Sequence, residues 1–145
     1  YIISRIMRIE ILHDPIAWKR AGRNGRFTFD AQAEEKKSVR WKMTLQCREC
    51  GHKPLTGPVV ANFDFGIGMP ASWSFRRKAK SLGQPVVTRP DLDNYEKFYL
   101  DCGNGILWED DSQVYFVTKA KKYTNMPRVV IDFSETPLIL PGDDA

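Results

Sequence analysis

Cysteine and histidine are scarce: Cys47, Cys50 and Cys102 are the three cysteines of a 145-residue chain, and His13 and His52 its two histidines. An odd and small cysteine count cannot form the disulfide framework of a secreted mini-domain, so a reducing compartment, the cytoplasm, is expected. Acyl-transfer and zinc-hydrolase chemistry lack local support, because the chain has neither a Gly-x-Ser-x-Gly elbow nor a His-Glu-x-x-His pair. A Gly-Lys-Ser/Thr sequence is absent, and Gly66-Ile67-Gly68 is too short for a phosphate-binding fingerprint. No organic cofactor is therefore expected. Apolar runs fall well short of the roughly 20 residues of a membrane span, and Tyr1–Ile11 alternates apolar with charged residues instead of forming a signal core. With no repeats and no low-complexity segments, a chain of this length reads as one domain able to bury roughly 68–70% of its unfolded surface.

Charge is plentiful and unevenly placed. Acids are missing between Pro15 and Phe29, where Lys19, Arg20, Arg23 and Arg26 accumulate beside Trp18 and Phe27. A second basic run, Arg76, Arg77, Lys78 and Lys80, follows Trp73 and Phe75, and a third comprises Lys119, Lys121 and Lys122. The net charge of +4 conceals an acidic island: Asp91–Asp111 holds seven acids and one lysine, a local −6, so the remainder carries +10. A basic body calls for a polyanionic partner, with phosphate tracking of nucleic acid the most economical choice. An acidic island inside it calls for a neutralising cation.

Periodicity supplies a coarse map. Met7–Leu12 alternates as a half-buried strand, and Asn24-Gly25 marks a turn in a basic hairpin or loop spanning Pro15–Asp30. Asp30 is the expected N-cap of a helix from Ala31 to Cys50, with Val39, Met43 and Cys47 on one face and Gly51 as its stop. Cys47-Arg48-Glu49-Cys50-Gly51-His52 has the spacing of half a zinc site. Its other candidate ligands are remote in sequence, so structural Zn²⁺ is not expected and both cysteines are read as packed small hydrophobes. A strand is predicted over Gly57–Phe65, a short helix from Pro70 to Gly83, a helix from Asp91 to Cys102, and strands over Val114–Tyr123 and Arg128–Phe133. Residues 1–6 are read as an upstream extension and the acidic 137–145 as a disordered tail.

The island has chemical logic. On a helix, Asp93 and Lys97 are one turn apart, and Asp91 and Asp93 lie in the first turn. After the Asn104-Gly105 turn, Glu109-Asp110-Asp111 can return carboxylates towards that helix start. Carboxylate oxygens are the ligands Mg²⁺ selects, with water and substrate phosphate completing its octahedron. Two like charges 4 Å apart repel by about 4 kcal/mol near a protein surface, so a cation is needed and its affinity should fall as the acids protonate. Such a metal suits phosphodiester hydrolysis, with Lys97 free to pair with Asp93 or to hold the phosphate.

Arg89-Pro90-Asp91-Leu92-Asp93-Asn94-Tyr95-Glu96-Lys97, then Asp101, then Gly105-Ile106-Leu107-Trp108-Glu109-Asp110-Asp111-Ser112-Gln113-Val114 resembles the RusA family of Holliday-junction resolvases. Pro15–Arg20, Ser72-Trp73-Ser74 and Lys119–Tyr123 extend the likeness. The resemblance implies an α+β fold, a small single domain over residues 7–136 with a mixed sheet flanked by helices, assembled as a homodimer. It implies Mg²⁺-dependent cleavage of four-way junction DNA, with Mn²⁺ a substitute, in a protein of bacterial, phage or prophage origin. The family's catalytic acids fall on Asp91, Asp93 and Asp111, with Asp110 the substitute ligand, and its lysine falls on Lys97. DNA contacts are then expected from Lys19, Arg20, Arg23, Arg26, Arg76, Arg77, Lys78, Lys80, Arg89, Lys119, Lys121 and Lys122. The rival reading is a non-catalytic protein that binds branched DNA.

Overall fold

A computed structural model describes residues 5–20, 22–25 and 27–138, with the hairpin residues 22–24 and 27–29 described by their backbone alone. In chain order the elements are Met7–Ile11 (β1), Gly22–Asn24 (β2), Phe27–Phe29 (β3), Ala33–Cys50 (α1), Val59–Gly68 (β4), Phe75–Ser81 (α2), Leu92–Gly103 (α3), a single 3-10 turn at Asp111–Gln113, Val114–Thr124 (β5) and Arg128–Glu135 (β6). The fold is a single α+β domain.

Alternation places the core. Met7, Ile9 and Ile11 of β1, Val59, Ala61, Phe63 and Phe65 of β4, and Val129, Ile131 and Phe133 of β6 are all buried, as period-2 strands with one covered face require. They belong to a four-stranded sheet ordered β1-β6-β4-β5. β6 runs antiparallel to β1 and β4, whereas β4 and β5 are parallel. Parallel neighbours need a long crossover, and this one carries α2, α3 and the acidic island. Val39, Met43 and Cys47 of α1 and Tyr95, Phe98, Tyr99 and Cys102 of α3 join the same core. Each fully buried phenylalanine there contributes roughly 1.5–3 kcal/mol.

Several boundaries differ from the sequence expectation. α1 starts two residues late because Asp30 folds into a turn of its own, accepting the Gln32 N–H at 2.9 Å and pairing with Lys36 at 3.0 Å. Those two bonds hold its carboxyl below the usual range. Gly51 stops α1 as expected, at a left-handed φ of 68° that favours glycine. β4 runs on through Gly66-Ile67-Gly68 because ladders on both sides, to Lys122–Thr124 and to Arg128, carry it there. α2 starts at Phe75, not Pro70, since Ser74 is its N-cap and accepts the Arg77 N–H at 3.2 Å.

The two motif cysteines part company. Cys47 sits in the core, where burial pushes its thiol up to about 11, whereas Cys50 is exposed, against the expectation that both pack. His52 Nε2 lies 3.0 Å from the Leu107 carbonyl. Arg40 ties α1 to α3, donating to the Cys102 and Asn104 carbonyls at 2.9 and 2.6 Å, a cation at a helix C-terminus. Among the described residues, no helix is long and apolar enough to cross a membrane. Residues 1–4 of the expected extension and 139–145 of the expected tail lie outside the described residues.

Candidate active site

α3 is amphipathic in a specific way. Tyr95, Phe98, Tyr99 and Cys102 face the core, so the stripe at Asp93, Lys97 and Asp101, spaced by four, faces outward. Asp91 is the N-cap residue, with extended backbone and no side-chain cap bond. Helix geometry thus aligns two acids and one cation along about two turns.

Asp111 arrives from elsewhere and is delivered by packing. Trp108 is fully buried against Gly103, where a Cβ would stand 2.7 Å from the indole, and its N–H donates to Asn104 Oδ1 at 3.2 Å. The Leu55 N–H bonds the Leu107 carbonyl at 3.0 Å, and the Glu109 N–H bonds the Leu55 carbonyl at 3.1 Å. Gln113 closes the frame by donating to the Leu55 and Gly57 carbonyls at 2.8 and 2.9 Å. Asp110 caps the following 3-10 turn, accepting the Ser112 N–H at 3.1 Å, and its Ser112 bonds hold its carboxyl low.

An open cavity of about 410 Å³ is lined by Trp18, Asp93, Asn94, Glu96, Lys97, Leu100, Asp101 and Asp111. Of the expected catalytic set, Asp93, Lys97 and Asp111 therefore share one cavity. Asp91 is not in its lining, and Asp110 is committed to its own turn, which favours Asp111 as the returning acid. Asp101 is the acid that sequence reasoning missed. Burial, then a hydrogen bond and the charge of Asp111, push its carboxyl up, while Lys36 and Lys97 act against them. Its spacing of four from Lys97 was the available signal. Of the two readings open for Lys97, the pair with Asp93 is not formed: none of the ion pairs among the described residues joins them, and the ammonium stands 3.7 Å from the centroid of the Trp18 ring.

The donor chemistry fits a hard divalent cation. Among the described residues, no three His, Cys, Asp or Glu side chains are grouped closely enough to ligate one ion. Mg²⁺, however, is commonly held by one or two carboxylates and takes its other oxygens from water and phosphate. Asp93 and Asp111 are carboxylates of that kind lining one cavity.

The expected DNA contacts divide. Lys19, Arg20, Arg76, Arg77, Lys80, Arg89 and Lys122 are exposed, and Lys78 is half-buried. Arg77 lies over the Trp73 ring at 3.9 Å. Lys119 is exposed as well and Lys121 half-buried, and both have partners: Lys119 pairs with Glu96, and Lys121 donates to the Thr88 and Pro90 carbonyls at 2.6 and 2.9 Å. They occupy the edge strand beside the start of α3. Arg26 and the side chain of Arg23 lie outside the described residues. A second groove of about 590 Å³ runs along α1, lined by Lys36, Lys37, Arg40 and Trp41 together with Asp30, which pairs with Lys36.

The sequence matches the family model for endodeoxyribonuclease RusA over residues 15–134. It is also 33% identical over 106 residues to the uncharacterized protein YqaN of Bacillus subtilis (strain 168), an overlap covering 68% of this chain and 75% of that protein. The matched span contains the acidic cavity, its lysine and the crossover that builds it, and the chain belongs to the RusA endodeoxyribonuclease family.

Proposed function

We propose that the protein is a Mg²⁺-dependent, structure-selective endodeoxyribonuclease that resolves Holliday junctions by paired symmetric phosphodiester hydrolysis in DNA recombination and repair. The observation that carries this reading is the cavity that unites Asp93, Lys97 and Asp111 in a domain whose remaining surface is basic. Asp93 and Asp111 hold the metal, and Asp91, two residues before Asp93, completes the ligand set that the resemblance implies. When bound, Mg²⁺ supplies Lewis-acid polarisation of the phosphodiester and a bound water of lowered pKa. Lys97 meets the scissile phosphate and offsets its developing charge. Asp101 lines the same cavity as Asp111 and places a further carboxylate beside the metal ligands, where it can accept from metal-bound water.

DNA contact falls to Lys19 and Arg20, to Arg23 and Arg26 of the basic hairpin, to the cations of α2, and to Arg89, Lys119, Lys121 and Lys122. Phe75, 88% exposed at the start of α2, offers a ring for base stacking. A four-way junction presents two equivalent strands, so paired incisions call for two sites related by a two-fold axis, supplied by a homodimer. The test is a labelled four-way junction incubated with wild type, Asp93→Asn and Asp91→Asn, with and without Mg²⁺. Symmetric Mg²⁺-dependent nicks lost in both variants, with junction binding retained, support the enzyme. Binding without nicks in every case would leave the non-catalytic branched-DNA-binding reading.

A further inference from the structure

Residues 13–19 form no helix or strand, yet they are pinned to two helices. Tyr99 OH of α3 accepts the Ile16 N–H at 3.0 Å and lies 2.9 Å from His13 Nε2. Gln32, the one buried polar side chain among the described residues, brackets the segment from the start of α1. Its Oε1 accepts the Lys19 N–H and its Nε2 donates to the Ala17 carbonyl, each at 2.8 Å. Between those two bonds, the Trp18 N–H donates to the Asn94 carbonyl in the first turn of α3 at 2.9 Å. Trp18 is thus fixed from three directions.

Those bonds fix the backbone, and the half-buried indole packs against the core and faces Lys97, whose ammonium stands 3.7 Å from the ring centroid, well inside the roughly 6 Å reach of a cation–π contact. Lysine is a compact charge on a flexible stem, and this one shares its cavity with Asp93, Asp101 and Asp111. An unrestrained ammonium there would settle on a carboxylate and occupy an oxygen needed for the metal. Resting on the indole, it stands near the acids and is bonded to none of them.

We propose that Trp18 is the positioning residue for Lys97: the strap pinned by Gln32, Tyr99 and Asn94 holds the indole so that the ammonium is kept off the acids and presented to the scissile phosphate. This rests on the nuclease reading for its consequence, but not for the contact itself. Preorganisation of a charge before the transition state costs no rearrangement at the moment of reaction.

Two measurements test it. In metal-free, DNA-free protein, the Lys97 ε-methylene resonances, assigned by comparison with Lys97→Met, should be shifted upfield by the indole ring current. Trp18→Leu should return them to the ordinary lysine position. In single-turnover cleavage of a four-way junction with Mg²⁺, Trp18→Leu should slow the reaction about tenfold, with junction affinity measured without Mg²⁺ unchanged within about twofold, and Trp18→Phe should recover most of the lost rate. Unshifted resonances in the wild type would overturn the proposal. So would a Trp18→Leu rate equal to wild type, or a loss of rate matched by a loss of affinity and not recovered by Trp18→Phe. A wild type that shows the shift but never cuts would overturn the positioning role together with the nuclease reading, leaving the Trp18–Lys97 contact established.

Discussion

α3 and α2 lie in the same crossover between β4 and β5 and are built on opposite principles. α3 buries five of its twelve residues, whereas α2 buries none of its seven. The buried side of α3 locks its outward stripe, so Asp93, Lys97 and Asp101 keep fixed spacings. α2 is held by its flanks: the Gly83 and Val86 N–H groups bond the Tyr123 and Lys121 carbonyls at 2.9 and 3.1 Å, and Trp73 packs on Tyr123 with ring centroids 5.2 Å apart. Metal-assisted hydrolysis demands side chains held within a fraction of an ångström. Phosphate tracking demands only charge and exposure. The contrast shows where this chain spends its core.

The sharpest way to break the comparison is to remove a cavity acid. Asp93→Asn or Asp111→Asn should lower Mg²⁺-dependent junction cleavage by at least about a hundredfold, measured in single turnover, with junction binding retained. An equal loss from Asp110→Asn would contradict its assignment to the 3-10 turn. Next, Trp108→Ala should cost about 3–5 kcal/mol in denaturant unfolding, because the indole anchors the loop that delivers Asp111. Unfolding free energy and cleavage both left unchanged would show that the loop is held by Gln113 and Leu55 alone.

On α2 the pattern should reverse. Arg76→Ala combined with Lys80→Ala should change unfolding free energy by no more than about 0.5 kcal/mol. Titrating junction binding against salt should give a slope shallower by about 1.8, or about 0.9 per phosphate contact. The smallest effect concerns the strap. Burial holds His13 below its ordinary pKa of 6.5, so the folded state binds fewer protons there than the unfolded state. Its contribution is present above pH 6.5 and is lost as pH falls through the lowered folded value. His13→Gln should flatten that part of the acid limb in thermal unfolding followed from pH 7.5 to 5, while stability above pH 7 changes less.

Much of this was legible in the sequence because it follows from period and spacing. Alternation in Met7–Ile11, Val59–Phe65 and Arg128–Phe133 marks the covered face of the sheet, and Val39, Met43 and Cys47 mark that of α1. Asp93 and Lys97 are neighbours because any helix makes them so. Asp101 obeyed the same rule and went unassigned, since nothing local distinguishes it from a solvated acid. The choice between Asp110 and Asp111 was open for a related reason: a one-residue difference in a turn is decided by which carboxylate the turn consumes. The partners of Lys119 and Lys121 could not be read from the sequence, because they depend on what lies beside the edge strand, namely Glu96 and the carbonyls of Thr88 and Pro90.

Element types, buried faces, the basic body with its acidic island, and the α3 stripe are all legible in the sequence, because each depends on residues close in the chain. Only the tertiary structure decided that Asp111 joins that stripe, that Asp101 stands against it, and that Lys97 rests on Trp18 rather than on Asp93. Those meetings bring together residues from 10 to 79 positions apart, and they hold because Trp108, Gln32 and Tyr99 are buried where their hydrogen bonds can be met in one arrangement only.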